Sequence, residues 1–146
     1  MARVEALLDM KGRELWSIGP DDTVYAAIEL MDRKSVGALV VLHGDVLVGI
    51  VSERDYARKV ILKGRSSKET KVRDIMTTHV YYTVADEDVE SCMAVMTDHR
   101  IRHLPVLQER RVIGMISIGD VVKHIIAEQR STIEHLEHYI SWEESY

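Results

Sequence analysis

The chain has 146 residues, 46% hydrophobic and 29% charged, an ordinary globular composition that excludes disordered, collagen-like and purely coiled-coil classes. A single cysteine, Cys92, excludes an intramolecular disulfide and a multi-cysteine zinc site, and no apolar run approaches the roughly 18 residues of a membrane span. The net charge of −5 argues against nucleic-acid polymers as partners, and the charge-interrupted N-terminus does not read as a signal peptide, so a cytoplasmic protein with no membrane association is expected.

In chain order, residues 16–18 form a short apolar stretch that ends at Pro20-Asp21-Asp22. Val24, Ile28 and Met31 follow at helical spacing, with Asp22 or Thr23 as N-cap. Residues 38–42 are β-like, His43-Gly44-Asp45 is a turn and 46–51 is the returning strand, which predicts a hairpin. Ser52-Glu53-Arg54-Asp55 opens a second helix that runs to about Leu62. The next stretch, 63–73, carries five basic residues against one acidic and reads either as a solvated linker or as a basic flap over a bound phosphate. The order then repeats: strand at 80–84, helix at 89–98, strands at 104–107 and 112–117, and a helix from about Gly119. Val122, Ile126, Gln129, Ile133, Leu136 and Ile140 step alternately by four and three, a heptad-like seam that folds back on its own module or packs on a partner.

A shift of 65 residues, without gaps, aligns 21–55 with 86–120. Nine of the 35 positions are identical, among them Val24/Val89, Met31/Met96, Gly49/Gly114, Ser52/Ser117 and Asp55/Asp120. The chain is therefore a duplication of a β-α-β-β-α unit. The units are expected at 8–63 and 72–127, with a linker at 64–71 and a helical extension at 128–146. A copy of about 55 residues lies near the lower limit for a stable core, so each is expected to bury itself against the other in an α+β (α/β layered) fold.

Both copies carry Gly-x-x-Ser-x-x-Asp at a strand-to-helix junction: Gly49, Ser52 and Asp55, then Gly114, Ser117 and Asp120. The serine and the aspartate three residues on resemble a capping box, although Glu or Gln is usual at the last position. The same geometry serves a nucleotide. Free N–H groups and the dipole at a helix N-terminus receive phosphate, the hydroxyl adds a donor, and the carboxylate accepts both ribose hydroxyls. The glycine lets backbone or ligand approach closely. The two roles are compatible. No placed nucleophile, base or metal set accompanies them, so no catalytic residue and no metal are assigned. Cys92 is expected to be a buried small residue, and Trp16 either core or a stacking platform.

With these motifs the chain resembles a CBS-domain pair (tandem cystathionine-β-synthase domains, or Bateman module). The resemblance covers nearly the whole chain, through 16–24, 36–41 and 49–55 in the first copy and 72–77, 100–106 and 114–122 in the second. The stretches 52–59, 64–68 and 74–77 are especially similar to stand-alone CBS-pair proteins of bacteria and plant organelles.

The resemblance implies two β-α-β-β-α units packed sheet to sheet with pseudo-twofold symmetry, plus a C-terminal helix. It also implies two clefts for an adenine-nucleoside ligand: AMP, ADP, ATP, NAD(H) or S-adenosylmethionine. Carried over, Asp55 and Asp120 bind ribose, and Ser52 and Ser117, with Arg54 and Arg102 beside them, bind phosphate. One cleft is lined by Ser17, Ile18, Gly37 and Ala38, the other by Thr83, Val84, Arg102, His103 and Pro105. Because Gly37-Ala38 matches Arg102-His103 and Arg54 matches Gly119, the clefts are expected to differ in affinity or preferred ligand. The implied function is a homodimeric adenine-nucleotide sensor that signals to a separate effector protein, with redox partners suggested by the plant look-alikes. A ligand-independent interaction scaffold and an S-adenosylmethionine sensor are the alternatives.

Overall fold

The structure is a computed structural model that describes residues 2–130. In chain order it contains α1 (Val4–Lys11), β1 (Ser17–Ile18), α2 (Val24–Lys34), β2 (Ala38–His43), β3 (Val46–Ser52) and α3 (Glu53–Tyr56), which continues as a π-helical segment (Ala57–Ile61). A 3₁₀ turn (Val72–Asp74) leads to β4 (Thr83–Val84), α4 (Val89–His99), β5 (His103–Gln108) and β6 (Arg111–Ser117). A last helix, α5, covers 118–130 of the described residues. Ile133, Leu136 and Ile140 of the predicted seam, and most of the predicted extension, lie outside them.

Two three-stranded sheets, β1-β2-β3 and β4-β5-β6, make an α+β fold. In each the first strand is parallel to the second and the second antiparallel to the third. The duplication reaches fine detail. The register shifts between Val41 and Leu42 and again between Val106 and Leu107, positions related by the same 65 residues. The helices are capped alike: Thr23 Oγ1 accepts from the Ala26 amide at 3.1 Å, and Asp88 Oδ1 from the Ser91 amide at 2.7 Å. Val24, Ala27 and Met31 face the first core, and Val89, Cys92 and Met96 the second, so helical spacing had selected the buried face.

The two cores exchange arms. Val72 and Ile75, which precede the second unit, are buried with the residues of the first. Val4, Leu7 and Leu8 of α1, which the sequence analysis had not assigned to any element, are buried in the second core. The backbone bonds match as well. The Val24 amide donates to Thr70 O and the Val72 amide to Asp22 O, both at 2.9 Å. Their counterparts run from Val89 to Ala2 O at 3.0 Å and from Val4 to Glu87 O at 2.9 Å. The body residues are related by 65, but the arm residues by 68, as in Val4/Val72, Leu7/Ile75 and Leu8/Met76. Burying one Leu or Ile side chain contributes about 2 kcal/mol, so each arm clamps the opposite unit. β3 and β6 meet where the two sheets come together.

Candidate ligand site between the two units

At both strand-to-helix junctions the serine and aspartate form the reciprocal cap. Ser52 Oγ accepts from the Asp55 amide at 3.2 Å, and Asp55 Oδ2 accepts from the Ser52 amide at 3.0 Å and from its hydroxyl at 3.1 Å. Ser117 Oγ accepts from the Asp120 amide at 3.2 Å, and Asp120 Oδ2 from the Ser117 amide at 2.8 Å. The glycines admit protein. A Cβ on Gly49 would lie 2.7 Å from Met76 Sδ and 3.0 Å from Thr77 O, and one on Gly114 would lie 2.8 Å from Leu8 Cδ2. Each motif glycine is where the exchanged arm crosses the third strand.

Against the first junction lies a cavity of about 710 Å³. The first unit supplies Gly37, Ala38, Ile50, Ser52, Glu53, Arg54, Asp55 and Arg58. The chain entering the second unit supplies Thr77, His79, Val80 and Tyr81, and the end of α4 with the start of β5 supplies Arg100, Ile101, Arg102 and His103. Four guanidinium groups thus face the carboxylates of Glu53 and Asp55, which leaves two positive charges in excess within a chain of net −5. Arg54 Nη1 donates to Arg100 O at 3.1 Å and ties the two units across this space. Among the described residues no ion pair engages Arg58, Arg100 or Arg102. Asp55 Oδ1 pairs at 3.0 Å with Lys59, one turn along the same helical run, and Lys59 also donates to Ile75 O at 2.8 Å. On the cavity wall Tyr81 stacks on His99, with ring centroids 3.9 Å apart, and meets His79 edge-on at 5.1 Å.

His103 is pushed down to about 4, chiefly by burial and then by the positive charge of Lys11, with Asp120 opposing and Arg102 adding to the shift. It is neutral at neutral pH. Asp120 stands differently from Asp55. Burial pushes the Asp120 carboxyl up, but the Lys11 ammonium and the Ser117 amide outweigh burial and hold it below the usual carboxylate range. Lys11 Nζ lies 2.7 Å from Asp120 Oδ2 and donates to Met115 O, also at 2.7 Å.

Of the residues expected from the sequence, Gly37, Ala38, Ser52, Arg54, Asp55, Arg102 and His103 share this cavity. The expectation that Gly37-Ala38 and Arg102-His103 line separate clefts does not hold for it. A Cβ on Gly37 would lie 3.4 Å from His103 Cε1, because pseudo-twofold symmetry brings equivalent positions together at the axis. Ser17, Ile18, Thr83, Val84 and Pro105 do not line the cavity. Ser17 is exposed, Ile18 packs against the first core, and Val84 is exposed. Thr83 is buried with Oγ1 3.3 Å from Cys92 Sγ, and Pro105 is buried opposite Met115. Ser117 and Asp120, at the start of α5, do not line it either, although Ser117 pairs with the lining residue His103 across the strands.

Sequence reasoning missed Thr77, His79, Val80 and Tyr81. The signal was the arm repeat at a shift of 68, hidden by a change of three residues in spacing. Arg58, four residues after Arg54, and Arg100-Ile101, just before Arg102, were legible as neighbours. The linker turns out to be a brace. Ser67 O and Thr70 O accept from the first amides of α2, Lys71 and Arg73 pair with Asp21, and no linker residue from 63–71 lines the cavity. Trp16 packs half-buried against the first core with the Lys34 ammonium 4.2 Å from its ring centre. Among the described residues no group of three or more His, Cys, Asp or Glu side chains stands so as to hold a metal ion. No described helix is long and apolar enough to cross a membrane.

The family model described as "CBS domain" matches residues 9–62 and 72–127. The CBS domain-containing protein CBSX3, mitochondrial, of Arabidopsis thaliana is 49% identical over 134 residues, which are 88% of this chain and 65% of that protein. The chain thus spans a little under two thirds of that relative. A solved structure of a protein with CBS domains from Burkholderia ambifaria MC40-6 superposes with a TM-score of 0.85 at 50% identity, covering 88% of this chain and 96% of that one. The CBS domain pair of protein MJ0100, solved with 5′-methylthioadenosine and S-adenosyl-L-methionine, shares the fold with a TM-score of 0.79 at 21% identity, over 88% and 98% of the two chains.

Proposed function

The chain belongs to the CBS domain family as a tandem pair, and from that premise we propose that it is a sensor which holds an adenine nucleotide in the inter-unit cavity and passes its ligand state to a partner protein. The charge of the cavity carries this reading. Four arginines against two carboxylates suit a ligand with several phosphate charges, and guanidinium groups form paired hydrogen bonds to phosphate. The Asp55 carboxylate and the Ser52 hydroxyl, both on the cavity wall, supply the ribose and phosphate contacts, and Tyr81 offers an apolar face for a base. A volume of about 710 Å³ lies within the usual range for a nucleotide-sized ligand. ADP and ATP, which carry more phosphate charge than AMP or NAD(H), fit this excess best. S-adenosylmethionine, a ligand in the MJ0100 structure, is the second reading, but its cationic sulfonium would meet the arginines unfavourably.

In this proposal the chain performs no chemistry and its signal leaves through an effector, of which a redox protein is one class. Two chains associate through exposed apolar side chains. The cytoplasm, expected from composition, belongs to the proposal beside the mitochondrial name of the Arabidopsis relative.

Calorimetric titration of nucleotide-stripped protein tests the ligand. ADP should bind at least tenfold more tightly than S-adenosylmethionine, and Arg102→Ala should weaken ADP by about 10- to 100-fold, as expected for a lost bond to a charged group. Preference for S-adenosylmethionine would establish the second reading. Binding of neither ligand would leave an interaction scaffold.

A further inference from the structure

We propose that Lys11 is the built-in occupant of the second cleft, so that the chain takes nucleotide at the Asp55 cavity alone until Lys11 is displaced. The inference rests on the reading of that cavity as a nucleotide site.

The arms define the equivalence. With Val4 matched to Val72 and Leu8 to Met76, Lys11 falls on His79, and the body register puts Met115 on Ile50. His79 and Ile50 both line the cavity beside Asp55. Their counterparts, Lys11 and the Met115 carbonyl, meet each other at Asp120: the Lys11 ammonium donates to Met115 O at 2.7 Å and to Asp120 Oδ2 at 2.7 Å. The second cleft therefore presents its carboxylate already satisfied by a charged donor, at the place where ribose hydroxyls would bind. The Lys11 ammonium thus takes, in the second cleft, the place that the cavity-lining His79 holds in the first.

The first cleft solves the same charge differently. Asp55 takes its cation from Lys59 on its own helical run, and Lys59 does not line the cavity. The second copy has His124 at the position of Lys59, and the cation comes instead from the crossing arm. The duplication has thus kept both carboxylates, each held by an ammonium, but the first cation comes from outside the cavity and the second from the arm that enters the cleft. Because Lys11 sits at the end of α1, whose apolar face is buried in the second core, displacing it would also loosen the arm that clamps the second unit.

Equilibrium dialysis with radiolabelled ADP tests the assignment on the full chain. The wild type should bind one ADP per chain. Lys11→Met, which keeps the apolar stem, should bind one more, and Lys11→Met with Asp120→Asn should lose the added site again. Lys11→Gln serves as the second variant if the first does not fold. A wild type that binds two, or Lys11 variants that bind no more ADP than the wild type, would overturn the inference. The wild type's own binding judges the first cavity separately. If it binds none while Lys11→Met binds one, the occupant role stands and the nucleotide reading of the Asp55 cavity fails.

Discussion

His103 sits where the two copies come together, against Gly37 of the first unit and within the field of Lys11, Arg102 and Asp120. Its environment sets a pH dependence of definite sign. Above pH 6.5 neither the folded nor the unfolded chain binds the proton. Between 6.5 and about 4 the unfolded chain binds it and the folded chain does not, so stability falls as the pH falls. Below about 4 both hold it and the loss levels off. The full window corresponds to a loss on the order of 3 kcal/mol. Urea unfolding at about pH 7.5 and about pH 4 should show the wild type losing that much more stability than His103→Gln; parallel losses in the two proteins would refute it. Cys92 also takes its character from its surroundings. Burial pushes its thiol up, in line with the expectation of a small buried residue.

Among the elements, the most informative feature is the crossing of each arm over a third strand. Gly49 and Gly114 occupy equivalent places, yet their neighbours yield differently. At Gly114 the nearest atom is the end of the flexible Leu8 side chain, whereas at Gly49 a methyl group would meet Met76 and also the carbonyl of Thr77. That carbonyl accepts from the Ile50 amide at 3.0 Å and cannot retreat without breaking the bridge. Gly49→Ala should therefore destabilise by about 1–3 kcal/mol, and Gly114→Ala by clearly less. Thermal unfolding of the two variants decides the order, and equal losses would mean that the Thr77 carbonyl is no constraint. The motif by itself leaves open whether backbone or ligand needs the glycines; side chain and backbone of the arms use them. The Ser-x-x-Asp caps are legible from local spacing, since a cap is made within four residues. The arms are not, since their partners lie many residues away and their register differs by three.

For the molecule as a whole, the two units share their stability and leave apolar side chains uncovered outside it. Ile61 and Leu62 are 56% and 76% exposed, and Ile126, equivalent to Ile61, is 44% exposed beside Val122 at 43%. Repetition of the same exposure in both copies is what a symmetric self-association would use. If two chains pair in this way, replacing Ile61 and Leu62 together by serine should convert a dimer to a monomer in sedimentation equilibrium with the fold retained. A wild-type chain that sediments as a monomer would remove the association from the proposal.

Periodicity and the 65-residue register were enough for the α+β class, the duplication, the hairpins and the helix caps, and the resemblance of the motifs was enough for the family. Each depends on contacts within a unit or on residues repeated at a constant spacing. The sharing of one cavity by Ser52 and Asp55 with Arg102 and His103, the exchange of arms between cores, and the pairing of Asp120 with Lys11 came only from packing. These join residues tens of positions apart across a pseudo-twofold axis. Identical motifs in the two copies therefore acquire unlike surroundings, one carboxylate lining a positively charged cavity with its cation from its own helical run and the other taking its cation from the crossing arm.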